Sequence, residues 1–241
     1  MTKEERKLIN DAVAAIRDLI PSPNDEFGYN LECEEDFEDI ARDFIDALYL
    51  AHIRADIRAG VSKLVIIPDK IDYVIKIPFN GQYKPVYDDG MYYAYDDFVR
   101  FSQAGVKFES SEWDYCETEL EIYAKAKDYA VEELFDRTEF FMCVNHRPVY
   151  IQAKAISIED WCGEEKESSP EAKKNYCYCK PEHEYIPREW VEQAIDYYGL
   201  DNVIRLKNFI DDYSLKDFHS GNVGYTFEGK PVIIDYAGWD D

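Results

Sequence analysis

Residues Tyr213–Gly238, YSLKDFHSGNVGYTFEGKPVIIDYAG, hold two aspartates and one asparagine around a hairpin pattern. Asp217 is followed five residues later by Asn222. The segment V-G-Y-T-F, the turn residues Glu228, Gly229 and Lys230, and P-V-I-I then predict two antiparallel strands. Such a hairpin delivers Asp235 at its end and folds it back beside Asn222. Asn222 and Asp235 offer the oxygen donors that a hard divalent cation prefers. Asp217 is a carboxylate able to accept a proton from an attacking hydroxyl. The plain alternative is that Asp, Asn and Gly mark turns between strands.

The run DFHSGN at 217–222, followed by IIDYAG at 233–238, resembles the catalytic loop and metal-binding motif of the protein kinase-like superfamily. In protein kinases these motifs read H-R-D-x-x-x-x-N and D-F-G. His219 gives this chain the form D-x-H-x-x-N, which is similar to the small-molecule branch, such as aminoglycoside and choline kinases, and to kinase-like proteins of phages and bacteria. The resemblance implies an α+β, two-lobed protein kinase-like fold. Its N-lobe would be an antiparallel sheet, its helical C-lobe reduced, and its N-terminus a helical extension. It implies ATP and Mg²⁺ as cofactors, Asp217 as catalytic base, and Asn222 and Asp235 as metal ligands.

Upstream, Lys63–Pro68 and Tyr73–Phe79 predict a hairpin around Asp69 and Asp72. Lys76 sits inside the apolar run V-I-K-I, where a lysine must find a partner or reach solvent. On an edge strand it would simply point outward and discourage aggregation. The resemblance matches V-I-K to the kinase strand whose lysine holds the α- and β-phosphates. It also implies a helical glutamate paired with that lysine. Glu117, Glu119 and Glu121 compete, and Glu119 is favoured because Ile122 and Tyr123 follow it at the spacing the family shows. No G-x-G-x-x-G precedes the hairpin. Gly60 and Ser62 stand where the end of such a loop would meet a phosphate. The backbone of Lys154, Ala155 and Ile156 would meet the adenine in the hinge between lobes.

Thr2 to Ile20 predicts an amphipathic helix with a capping box from Thr2 to Glu5. A second helix is expected from Glu34 to about Arg58, which would leave the usual first strand of the sheet missing. Residues 80–112 read as an irregular, aromatic and acidic insertion. A long helix is expected over Trp113–Phe135, then a hairpin from Glu139 to Ile156 turning at Asn145–Arg147. Asp160–Pro187 reads as a surface insertion. Two helices follow, one closing at Gly199 and the next capped by Asp201. The expected division is 1–57 as extension, 58–158 as N-lobe and 159–241 as reduced C-lobe. With the sequence running only six residues past Asp235, a peptide-substrate platform is not expected.

The 241 residues are 46% hydrophobic, enough for one or two domains with real cores. Lys and Arg number 27 against 51 Asp and Glu, a net charge of −24. Such a surface repels nucleic-acid phosphates, so no nucleic-acid partner is expected. No apolar run approaches the length of a membrane span, and the N-terminus lacks a signal peptide's apolar core, so a cytoplasmic location is expected. Six cysteines in such a setting read as free thiols. Cys177, Cys179 and His183 with the distant Cys162 are a weak zinc pattern, because C-x-C is not the usual knuckle spacing.

Two functions fit this sequence. One is an ATP/Mg-dependent phosphotransferase acting on a small molecule or one specific protein. The other is a catalytically weak or inactive kinase-like binding protein, an acidic, phage-type inhibitor of a host factor.

Overall fold

The structure is a computed structural model, and it describes residues 1–20, 34–59, 63–78, 84–85, 108–109, 115–161, 167–236 and 238–239. The chain is α+β, with six α-helices and a five-stranded antiparallel sheet among the described residues. It divides into two compact units. The first is Met1–Glu117 with Thr138–Ala153, and the second is Thr118–Arg137 with Lys154–Asp241.

In the first unit, α1 (Lys3–Ile16) starts where the sequence signals it. The Thr2 hydroxyl accepts from the Glu5 N–H at 3.2 Å, and the Glu5 carboxylate accepts from the Thr2 N–H at 2.6 Å. Two orphan amides of the first turn are thereby satisfied. The bonds from Thr2 hold the Glu5 carboxyl below its usual range. Ile9, Ala12, Val13 and Ile16 bury the inner face, and a short 3₁₀ turn, Arg17–Leu19, follows.

The second helix, α2 (Glu34–Leu50), stops short of the expected Arg58. His52 takes a left-handed φ of 61°, and the Ile53 N–H reaches back to the Leu48 carbonyl at 2.9 Å. That is a helix stop of the left-handed type. The strand thought missing is present: β1 (Ala55–Ala59) pairs antiparallel with β2 (Lys63–Pro68). Over five residues, periods of 3.6 and 2 cannot be told apart, and pairing with β2 decides.

Strand β3 (Tyr73–Pro78) follows, then the two-residue strands β4 (Lys84–Pro85) and β5 (Phe108–Glu109), which pair with each other. Strands β6 (Thr138–Val144) and β7 (Arg147–Ala153) form the expected hairpin. Its turn is the two-residue type with both residues left-handed, Asn145 at φ 49° and His146 at φ 69°. The Asn145 amide also donates to the carbonyls of Arg17 and Ile20, tying the turn to the end of the first helix. The sheet order is β1-β2-β3-β7-β6. One face carries Leu64, Ile66, Ile75, Ile77, Val149 and Ile151, which form a single core with Ile9, Val13, Ile16, Phe44 and Leu48 of the two helices.

Helix α3 (Tyr115–Asp128), which belongs to the second unit from Thr118 on, ends seven residues before the expected Phe135. Ala130 adopts φ 53°, the Val131 N–H returns to the Ala126 carbonyl, and Glu132–Leu134 form a 3₁₀ turn. The apolar run had suggested continuity, but Val131 and Leu134 reach the core only because the chain turns there. Strand β8 (Ala155–Ser157) comes next. The stretch expected as a surface insertion is partly core: Ser169 caps α4 (Pro170–Asn175), and Ala172, Cys179 and Ile186 are buried. Helix α5 (Arg188–Tyr198) ends at Gly199 as expected. Helix α6 (Leu200–Asp212) takes Gly199 as its N-cap, so Asp201 lies in the first turn and is not the cap. Short strands β9 (Leu215–Lys216), β10 (Val223–Thr226), β11 (Pro231–Ile233) and β12 (Gly238–Trp239) complete the unit. No helix among the described residues is long and apolar enough to cross a membrane.

Candidate functional site

The expected hairpin forms. Strand β10 pairs with β11 in the register Val223↔Ile233, Gly224↔Val232, Tyr225↔Pro231. Gly229 takes φ 78° in the turn, where its N–H donates to the Thr226 carbonyl at 2.8 Å. The strands are held from behind by Trp190, fully buried, whose indole N–H donates to the Gly224 carbonyl at 3.1 Å.

A second ladder brackets the same loop. Strand β9 pairs with β12, Lys216 opposite Gly238 and Leu215 opposite Trp239. Asp217 therefore directly follows one strand of this ladder, and Asp235 lies three residues before the other. The sequence carries no pattern for these two-residue strands.

Asn222 ties the site together. Its backbone carbonyl accepts from the N–H groups of Ile234 at 2.7 Å and Asp235 at 3.2 Å. Its side-chain amide donates to the Asp217 carbonyl at 2.8 Å. The hairpin brings the backbones of Asn222 and Asp235 together, as its pattern implied, and the Asn222 side chain adds a link to the Asp217 backbone. That bond fixes the orientation of the amide, whose oxygen Oδ1 is the atom suited to a cation.

Asp217 takes φ 73°, a left-handed conformation rare for a residue other than glycine but tolerated by aspartate. Its carboxylate is on the surface, 62% exposed, while the next residue, Phe218, is fully buried. His219 Nδ1 accepts from the Gly221 N–H at 3.0 Å. In the neutral ring the proton then sits on Nε2, which lies 3.5 Å from Asp217 Oδ1.

Two glutamates that sequence reasoning did not single out brace the loop. Glu159 accepts from the Ser220 hydroxyl at 2.6 Å, and Glu184 accepts from the Phe218 N–H at 3.3 Å. They lie 61 and 34 residues upstream of their partners, and no motif marks them. The Tyr236 hydroxyl donates to the Asp136 carbonyl at 3.1 Å, and the Asp136 N–H donates to the Ile233 carbonyl at 2.8 Å. This anchors the strand end that carries Asp235.

Lys154, Ala155 and Ile156 stand where the chain passes from the first unit to the second. Ala155 and Ile156 pair with Thr226 and Tyr225, which joins β8 to the hairpin in a three-stranded sheet.

In the first unit Lys76 is buried on β3, and its ammonium lies 3.5 Å from the Thr138 hydroxyl. Of the three competing glutamates Glu119 is fully buried, Glu117 half-buried and Glu121 exposed. Gly60 and Ser62 lie outside the described residues, between strands that pair antiparallel.

The oxygens of Asn222 and Asp235 suit a hard cation such as Mg²⁺. Among the described residues no group of three His, Cys, Asp or Glu side chains is placed to hold a metal. Cys162 of the weak zinc pattern lies outside them. Cys177 is exposed, whereas Cys179 is buried, with its thiol pushed up to about 11 first by burial and then by Cys177. No protein-family model matches the chain, and no curated protein does.

Proposed function

We propose that the chain is an ATP- and magnesium-dependent phosphotransferase on a two-lobed kinase-like fold, acting on a small molecule or on one specific protein. The supporting observation is the Asn222 clamp, which links the loop of Asp217 to the strand end of Asp235 through three hydrogen bonds. The exposed Asp217 carboxylate at the end of this clamp is open to solvent and to a ligand.

In this reading Asp217 accepts the proton of the acceptor hydroxyl as its oxygen bonds to the γ-phosphorus. The bridging P–O bond breaks and ADP leaves. Lys76 holds the α- and β-phosphates, with Glu119 as its partner. Asn222 and Asp235 would hold a magnesium ion, which would supply charge neutralisation. Lys154, Ala155 and Ile156 offer backbone groups to the adenine, and Gly60 and Ser62 meet a phosphate. Catalysis is then mainly positioning and electrostatic stabilisation.

The net charge of −24 favours a second reading, a kinase-like protein that binds a basic partner without turnover. Thermal-shift titration with ATP, with and without Mg²⁺, separates the two. A ligand bound only by the folded state raises the melting temperature. The first reading expects a Mg²⁺-dependent rise that Asp235→Ala abolishes. Absence of any shift at millimolar ATP would remove it and leave the binding protein.

A further inference from the structure

An open cavity of about 90 Å³ lies within the second unit. Its walls come from three stretches of chain. Glu167 and Ser168 precede α4, Asp196 and Tyr197 belong to the last turn of α5, and Gly229 and Pro231 belong to the β10–β11 turn. Asp217, Asn222 and Asp235 do not line it. Drug-sized ligands fill pockets of roughly 300–1,000 Å³, so this cavity has room for the end of one side chain.

Its electrostatics favour a cation. The Glu167 carboxylate is on the surface, with Oε1 2.9 Å from the Lys173 ammonium. Asp196 accepts from the Ser169 N–H at 2.8 Å and from the Ser169 hydroxyl at 2.5 Å. Both donors are neutral, so they fix the carboxylate in place without cancelling its charge. Asp196 also stands at the unfavourable end of its helix. A helix C-terminus carries partial negative charge and favours a cation, yet the last turn of α5 holds no basic residue. The neighbouring lysines are engaged, Lys173 with Glu167 and Lys230 over the Tyr198 ring at 5.8 Å.

Two further groups favour an organic cation over a metal ion. Ser168 lines the cavity at 9% exposure, and its hydroxyl has no hydrogen-bond partner among the described residues. A hydroxyl so buried is satisfied when a ligand brings it a donor. Tyr197 is 55% exposed and is held by an edge contact with Tyr198, the ring centroids 4.8 Å apart. Tyr198 is itself anchored, its hydroxyl bonded to the carbonyls of Glu133 and Pro231. A fixed, exposed ring beside carboxylates attracts a cation to its face.

We propose that this cavity binds an arginine side chain presented by a basic protein partner. A guanidinium stacks on an aromatic face, forks onto a carboxylate and keeps donors for a hydroxyl. An ammonium is more strongly hydrated and lacks the planar face. The net charge of −24 steers such a partner toward the protein. The site depends on neither reading of the function, so it stands or falls apart from ATP binding.

The test is amide NMR titration of the full chain at constant ionic strength. The probes are acetyl-arginine amide, acetyl-citrulline amide, which keeps the shape without the charge, and free arginine. Capped arginine should shift the amides of Ser168, Asp196, Tyr197 and Gly229 saturably at millimolar concentration, and capped citrulline should not. Glu167→Gln and Tyr197→Ala should each weaken binding by about two- to fivefold. Lys173→Gln, which releases Glu167, should tighten it by about the same factor. Asp46→Asn, an equal change of charge on α2, should leave it unaltered. Circular dichroism checks that each variant folds. Equal shifts from citrulline, no saturable shift from arginine, or cavity variants that bind like wild type overturn the proposal. Equal weakening by Asp46→Asn would also overturn it, by showing attraction to net charge alone. Tighter binding of free than of capped arginine would do so too, because the site would then serve the amino acid and not a protein partner.

Discussion

Asp217 shows how little of a site's chemistry lies in a single residue type. Its φ is 73° and its carboxylate is exposed, while Phe218 is buried in the core, so adjacent residues serve opposite ends. His219 is oriented by the Gly221 N–H and presents Nε2 to Asp217. If Asp217 takes the acceptor proton, Asp217→Asn should lower phosphoryl transfer by about 10²–10⁴-fold, the usual worth of a positioned base. Nucleotide affinity should stay within a few-fold, because the asparagine keeps shape and backbone. Following ADP release and nucleotide binding side by side checks this, and equal loss of both would remove the base assignment. His219 was visible in the motif. Glu159 and Glu184 were not, because their hydrogen bonds join parts of the chain that only folding brings together.

Local elements divide between those that state themselves and those that do not. The α1 capping box was legible because both of its bonds span three residues. Thr2→Ala should cost about 1 kcal/mol, measured by urea denaturation. The β10–β11 hairpin was equally legible. What that pattern could not tell is why its second residue is glycine. A Cβ on Gly224 would stand 2.0 Å from the Ile156 carbonyl oxygen of the neighbouring strand β8. Backbone cannot yield as a flexible side chain does, so Gly224→Ala should destabilise the protein by about 3 kcal/mol or more. A variant with wild-type stability would mean that β8 does not approach so closely. The misplaced ends of α2 and α3 share one cause. Each stops at a left-handed residue that is not glycine, His52 and Ala130, so the usual stop signal is missing from the sequence.

Across the whole molecule charge and titration dominate. With a net charge of −24, self-repulsion opposes compaction. Raising NaCl from low to physiological concentration should raise the melting temperature as screening sets in. A fall would show that specific ion pairs outweigh the net repulsion. Alkaline pH should act in the opposite sense. Burial first, and then Cys177, raises the Cys179 thiol from 9.0 to about 11. Between those values the unfolded chain loses that proton first, so stability is full below about pH 9 and falls as pH rises toward 11. Burial raises Tyr225 to about 12 and raises Tyr198 also, which extends the loss upward. Denaturation at pH 8, 9.5 and 10.5 checks this, and Cys179→Ala should flatten the first part of the decline. An equal decline in that variant would clear Cys179 of the effect.

Sequence alone was enough for the α+β class, the first helix and its cap, the three main hairpins and the meeting of Asn222 with Asp235. Each rests on contacts between residues close in the chain, where turn chemistry and periodicity act directly. Tertiary structure decided the rest. It made a strand of Ala55–Ala59 by offering β2 as a partner. It drew Ala172, Cys179 and Ile186 from an apparent surface stretch into the core. It paired β9 with β12 around the candidate site. It also gathered Glu167, Ser168, Asp196 and Tyr197 around one cavity. These outcomes depend on which surfaces are left to be covered once the local elements exist, and no short stretch of sequence carries that information.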